Sequence, residues 1–255
     1  MHKSRIFSRQ VRALTIANLK SRYRKTFAGF LWVVLNPMIT FGVQALVFHN
    51  FLKIDFSRYV LFLAAGLLPW IFIVQTIEMS ASVFVTNGQL MKSIAVTPLI
   101  YLCSQVLDCF INFLAGLLLA LLPIWIFYDG VRWPLLLIPL PIISLAIGVF
   151  ALSWLLAISQ VFFRDTRFLI GFTMNIGFFL TPIFYRRDFV PDDLQWLISL
   201  NPFFHLIAPF QVLVHDFQWP QFYESMLYSL LTSLILLTLA FTWWSRRRNQ
   251  VYFYV

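Results

Sequence analysis

Six long apolar runs, parted by short polar stretches, set the pattern of this chain. They cover about residues 28–48, 60–85, 104–128, 134–163, 168–185 and 225–245. Each has roughly the 20 apolar residues that a helix rising 1.5 Å per residue needs to cross a bilayer core. The pattern predicts an all-α integral membrane protein, a single transmembrane domain (1–255) with a six-span bundle over 28–245. The segment before it, 1–27, is polar and basic. At 100° per residue Phe7, Val11 and Leu14 fall on one stripe, with Arg5, Arg9, Arg12 and Lys20 opposite, although Ile16 and Leu19 break the pattern. It reads as an amphipathic interfacial helix. That helix is either a lipid anchor or a cuff beside a partner or a substrate headgroup.

The breaks between runs are equally informative. Pro37 should kink the first span. Arg22, Arg24 and Lys25 stop where that span begins, so they mark its cytoplasmic end. The second span carries Gly66, Pro69 and Trp70, with Glu78 toward its inner end. The loop 86–101 opens on the turn signal Asn87-Gly88 and is stopped by Pro98. Between them Gln89–Val96 can form about two helical turns with Leu90, Met91 and Ile94 on one side. Such an apolar face needs a partner, whereas a plain connector would not carry one.

The third span has Asp108 near its inner end, and Asp129-Gly130 turns the chain outside. Arg164, Asp165 and Arg167 form a tight turn between the fourth and fifth spans. The external segment 186–223 contains two apolar runs, around Leu194–Ile198 and from Pro202 through Val214. Both are too short to span and read as re-entrant or interfacial helices. Arg246, Arg247 and Arg248 stop the sixth span and begin a tail, 246–255.

Composition sharpens this. Hydrophobic residues make up 60% and charged ones 11%, against about 25% charged in soluble domains. The net charge is +9. Of the 19 Lys and Arg, those at 53, 58, 132, 186 and 187 fall outside and the other 14 inside, which puts both termini in the cytoplasm. With little soluble protein there is no basic face for nucleic acid. Cys103 and Cys109 lie six apart on one helix and face different ways, so neither a disulfide nor a metal site is expected. No cleavage pattern follows the first apolar run, so that span is expected to be retained.

Catalytic signatures are missing. There is no G-x-x-x-x-G-K-[ST] nucleotide loop, no H-E-x-x-H and no G-x-S-x-G. His2, His49, His205 and His215 are scattered. The external acids Asp188, Asp192, Asp193, Asp216 and Glu224 read as a solvated surface more readily than as a cation site.

The aromatics, at 18%, exceed what lipid contact requires. Phe168, Phe172 and Phe179 stand at spacings of four and seven, and Asn175 shares their face. Trp32, Asn36 and Phe41 supply a similar mix on the first span. Flat aromatic walls can hold the C–H faces of sugar rings without fixing any hydroxyl, so that a polymer slides. Ordinary helix packing is the other explanation of this face.

Several motifs occur in a telling order. They are Arg22 to Pro37 (RYRKTFAGFLWVVLNP), Gly66-Leu67-Leu68-Pro69-Trp70, Asn87 with Leu90-Met91-Lys92, Phe163-Arg164-Asp165, Thr181 to Tyr185 (TPIFY) and Asn201-Pro202-Phe203. In this order and spacing the chain resembles the type-2 ABC-transporter permeases that export polysaccharides, most closely the O-antigen branch. One departure is Thr97-Pro98, where that family more often has Phe-Pro. The resemblance implies a homodimer that forms one pore, with two separate ATPase subunits below it carrying ATP and Mg. No cofactor is then expected in this chain. It implies a coupling helix at Gln89, Leu90, Met91, Lys92 and Ile94, ending before Pro98. Arg22, Arg24 and Lys25 would border the cytoplasmic entrance. The first and fifth spans would line the channel, with Trp32, Asn36, Phe41, Phe168, Phe172, Asn175, Phe179 and Tyr185 as candidates. The two short external helices would pack near the outer mouth.

The leading expectation is therefore an exporter subunit in the bacterial inner membrane. Its substrate would be an undecaprenyl-diphosphate-linked glycan, and the chain itself would do no covalent chemistry. Two other classes compete. A membrane enzyme acting on lipid-linked sugars needs a convergent set of acids, His or a metal. An ion-coupled transporter needs paired charges near mid-membrane. The sequence offers neither.

Overall fold

The computed structural model describes residues 2–23, 39, 42, 43, 47, 56–94, 97–121, 133–214 and 217–254. Among them every element is helical and no strand occurs. The chain runs through α1 (His2–Tyr23), α2 (Phe56–Ala81), α3 (Val83–Thr86) and α4 (Gly88–Ile94). Next comes α5 (Pro98–Gly116), which continues as a π-helical turn over Leu117–Leu121. A 3-10 turn, Trp133–Leu137, leads into α6 (Pro139–Phe162). Then follow α7 (Thr166–Leu180), α8 (Gln195–Leu200), α9 (Pro202–Val214) and α10 (Trp219–Tyr254).

Four helices among the described residues are long and apolar enough to cross a membrane, in α2–α3, α5, α6 and α10. The six-span expectation is thus met only in part. The first span, 28–48, lies outside the described residues except for positions 39, 42, 43 and 47, which are helical. The fifth is a shorter element than the apolar run suggested. α7 has 15 residues, about 22 Å at 1.5 Å each, against a core of about 30 Å. Thr181 ends it, because Pro182 cannot continue the ladder. The expected pair of short helices is present, with the segment Asp192–Leu200 meeting Pro202–Val214 at a bend of 99°.

The sixth span also differs. Arg246–Arg248 do not end the helix, since α10 runs on to Tyr254, 36 residues in all. Arginine is a good helix former, so the three cations end the apolar run and not the backbone spiral. The last turns are docked: Val251 is buried, Arg247 lies 5.7 Å from the Phe162 ring and Tyr254 contacts the same ring.

α2 is the buried centre. Its Leu63, Ile73 and Ile77 are fully enclosed by residues of α5, α6, α7 and α9, among them Phe113, Leu145, Met174 and Phe210. A second cluster, with Phe84, Met91, Leu102, Trp154 and Ala240, sits beyond the far end of α2. α6 and α10 meet along small residues. Ser144 and Ser229 share a 2.6 Å hydrogen bond, and the Ser233 hydroxyl donates to the Ser144 carbonyl at 2.8 Å. A Cβ at Gly148 would lie 2.7 Å from Leu206 and 2.8 Å from the Ser233 oxygen. Any larger residue there would have to displace those side chains, so glycine suits the close approach, as in small-residue helix seams generally.

α1 is bound to the body and is not held by lipid alone. Val11 and Thr15 are buried, and the Thr15 hydroxyl reaches both the Val11 carbonyl (2.9 Å) and the Ser104 carbonyl of α5 (3.3 Å). Farther along, Arg22 forms an ion pair with the fully buried Asp108.

Candidate functional site

Three regions bear on function, and the first lies between α2 and α5. The Asn87 side chain donates to the Val83 carbonyl at 2.8 Å, and the Asn87 carbonyl accepts from the Met91 amide at 2.9 Å. One residue thereby closes α3 and starts α4. Pro98, buried in the first turn of α5, loses no backbone bond there, because the first amides of a helix have no partner within it. On α4 the expected apolar face is divided. Leu90 is 49% exposed, whereas Met91 is 2% exposed and packs into the second cluster. Adjacent helical residues point 100° apart, so one faces out and its neighbour in. Met91 is therefore not available to a partner. Gln89 and Lys92 are exposed beside Leu90. The Ile94 side chain lies outside the described residues.

The second region is α7. Thr166, Ile170, Met174 and Gly177 face the body. Gly177 brings the helix onto Trp70, whose ring would stand 3.2 Å from an added Cβ. On the opposite side Phe168, Phe172 and Phe179 are 78%, 67% and 66% exposed. Asn175 is exposed between them, and its amide donates to the Gly171 carbonyl at 2.9 Å. The expected face therefore exists and its rings stand largely exposed, with Phe179 alone also touching Phe178 and Phe184 at ring-centre distances of 5.4 and 6.2 Å. Phe178, one position off it, packs instead on Trp70 at 5.9 Å. Tyr185 is half-buried and donates to the Phe179 carbonyl at 2.9 Å. Trp32, Asn36 and Phe41 lie outside the described residues, as do Arg24 and Lys25.

Arg22, expected at the cytoplasmic entrance, has its guanidinium joined to Asp108 and 3.1 Å from the Met79 sulfur. A buried carboxylate is stable only when paired, so the Arg22 charge is neutralised within the chain and fastens α1 to α5.

The third region is a joint that periodicity did not reveal. The Gln211 amide donates to the Pro182 carbonyl at 2.7 Å, and Gly66 leaves room for it, since a Cβ there would stand 2.8 Å from that nitrogen. The Asn201 amide reaches the Thr181 hydroxyl at 2.9 Å, while its oxygen accepts from the Phe203 amide and caps α9. Tyr59 donates to the Phe184 carbonyl at 3.1 Å. The Gly66–Trp70, Thr181–Tyr185 and Asn201–Phe203 motifs are thus one interlocked unit that holds the end of α7 against α2 and α9. Gln211, a polar residue inside an apolar run, was the available signal for it.

Among the described residues no group of His, Cys, Asp and Glu could hold a metal ion. An O-antigen export system permease protein RfbA of Klebsiella pneumoniae is 28% identical over 217 residues, 84% of this chain and 83% of the relative. A protein of the same name in Myxococcus xanthus is 27% identical over 247 residues, 94% of this chain and 95% of the relative. The sequence model for the ABC-2 type transporter matches residues 9–215. The chain belongs to the ABC-2 type transporter family and is a multi-pass membrane permease, the transport subunit that works with an ATPase.

Proposed function

We propose that this permease forms the channel of an ATP-driven exporter of lipid-linked polysaccharide of the O-antigen kind, carried on undecaprenyl diphosphate. Two copies make the path across the inner membrane. Two ATPase subunits, which hold ATP and Mg, dock on the cytoplasmic side, where both termini of the permease lie. The names of the two relatives support the substrate class. The observation that carries the reading is the α7 face, with three exposed phenylalanines around one amide that is already bonded to its own helix. Such a face offers flat apolar area to sugar C–H groups and little that would trap a hydroxyl. The polymer then moves without strong stops, with the first span completing the wall.

Coupling falls to α4. Leu90 offers an exposed side chain whose burial in a groove of the ATPase contributes about 1.5–3 kcal/mol. Gln89 and Lys92 flank it at the polar rim of that contact. Met91 anchors the short helix from within, so motion imposed on α4 is passed to the second cluster and not lost in a loop.

The test is reconstitution. With the ATPase in liposomes, ATP should drive undecaprenyl-diphosphate-linked glycan to the far side, read by lectin accessibility. The purified chain alone should neither move glycan nor hydrolyse ATP. Specific hydrolysis by the isolated chain, or a complete complex that hydrolyses ATP but moves no glycan, would overturn the proposal.

A further inference from the structure

A cavity of about 500 Å³ opens at the end of the bundle opposite α4, within the usual range for small-ligand sites. Its wall comes from the start of α2 at Phe62, from the 182–188 segment, from α9 and from α10. The Gln211–Pro182 hydrogen bond fixes α9 against the 182–188 segment, two of these walls.

Its chemistry differs from that of α7. Tyr228 and Phe204 supply flat rings, and His205 lies against Tyr228 with ring centres 5.3 Å apart. A ring nitrogen of His205 is 2.7 Å from the Ser199 carbonyl, which fixes the imidazole in place. Arg187 donates to the Ser199 hydroxyl at 3.3 Å with its guanidinium 5.8 Å from the centre of Phe204. Gln221 and Glu224 add donors and an acceptor from α10.

Charge narrows the ligand. Arg186 is paired with Asp188 at 3.2 Å. Arg187 and Glu224 then bring opposite charges to the same lining, and Glu224 has no ion pair among the described residues. A phosphate would meet the Glu224 carboxylate and a cation would meet Arg187. A neutral ligand with apolar faces and many hydroxyls meets neither objection, and it uses both rings and polar edges.

We propose that this cavity binds a short stretch of neutral sugar and holds the glycan after it leaves the α7 face. The source of that sugar rests on the export reading above; the binding chemistry does not. α7 lets the polymer slide because its one amide is already bonded. The cavity grips because Gln221 and Glu224 keep donors and acceptors for a ligand beside the rings. Held there, an emerging segment cannot slip back while the ATPase resets.

The experiment uses the complete permease–ATPase complex in lipid nanodiscs. The probes are α-mannobiose, chitobiose, delipidated surface polysaccharide of the producing strain cut to short fragments, and inorganic phosphate. Saturation-transfer NMR reads contact with sugar C–H protons. Wild type should show contact that phosphate does not displace. Tyr228→Leu should weaken it about fivefold through loss of the ring face, and Glu224→Gln should weaken it as well. Tyr228→Phe, which keeps the ring, should retain it, as should Leu136→Ala on an exposed surface outside the cavity. The site is overturned if an exporting wild-type complex shows no contact with any sugar, if phosphate displaces the sugars, or if Tyr228→Leu leaves the contact undiminished. Sugar contact that depends on Tyr228 in a complex that exports no glycan would sustain the site and overturn the export reading.

Discussion

α2 holds Leu63, Ile73 and Ile77 away from any surroundings, whereas α7 turns Phe168, Phe172 and Phe179 outward from the chain. Both helices are apolar, and both carry glycines. In α2 the apolar side chains meet neighbours on nearly every side, so their identity is fixed by fit. In α7 only the Ile170–Met174–Gly177 side is fixed in that way. The contrast separates residues whose work is folding from residues left free for something outside the chain. Hydropathy alone would treat them alike.

The contrast can be broken first on α4, where it is compressed into two neighbours. Met91→Asp puts a charge into a closed cluster and should cost about 3 kcal/mol of stability, seen as lost accumulation in the membrane. Leu90→Asp should leave thermal stability within about 0.5 kcal/mol but weaken co-purification of the ATPase. If both variants fold and both detach the ATPase, α4 is not oriented as described.

A glycine pair gives the next largest effect. A Cβ at Gly66 meets Gln211 and the Ile183 backbone, whereas one at Gly171 meets nothing within 4 Å. Gly66→Ala should therefore destabilise by about 1–3 kcal/mol through overpacking. Gly171→Ala should stabilise by as much as about 1 kcal/mol through helix propensity. Thermal unfolding in detergent reads both, and equal shifts would erase the distinction between the helices.

Phe172→Leu with Phe179→Leu probes the outer face itself. Apolar bulk is kept and only the flat surfaces are removed, so stability should stay within about 0.5 kcal/mol. Export of long chains should fall several-fold at unchanged abundance. Unchanged export would return these rings to the status of packing residues.

Much of this division was legible in the sequence, and each failure has a physical cause. The position of α7, its face and the bent pair follow from local spacing, which sequence records directly. The partner of Asp108 does not, since Arg22 lies 86 residues earlier. The same holds for Gly66, whose neighbour Gln211 belongs to α9. Met91 was misplaced because a short helix has too few turns to show which side faces in. The end of α10 was misjudged because charge bounds an apolar run but not a helix. The position of Arg22 beside the first span likewise gave no sign that it pairs with a buried acid on another helix.

The serine seam also bears on how the protein is made. Ser144 leaves the ribosome 85 residues before Ser229 and 89 before Ser233. Through that interval α6 carries a hydroxyl whose partner has not been synthesised. An asparagine or an acid left in that state would strand a polar group in hydrocarbon. A serine can turn back onto a carbonyl of its own helix and release it later at little cost. The seam is therefore built from the polar side chain best able to wait, and the newborn α6 need not be guarded until α10 arrives.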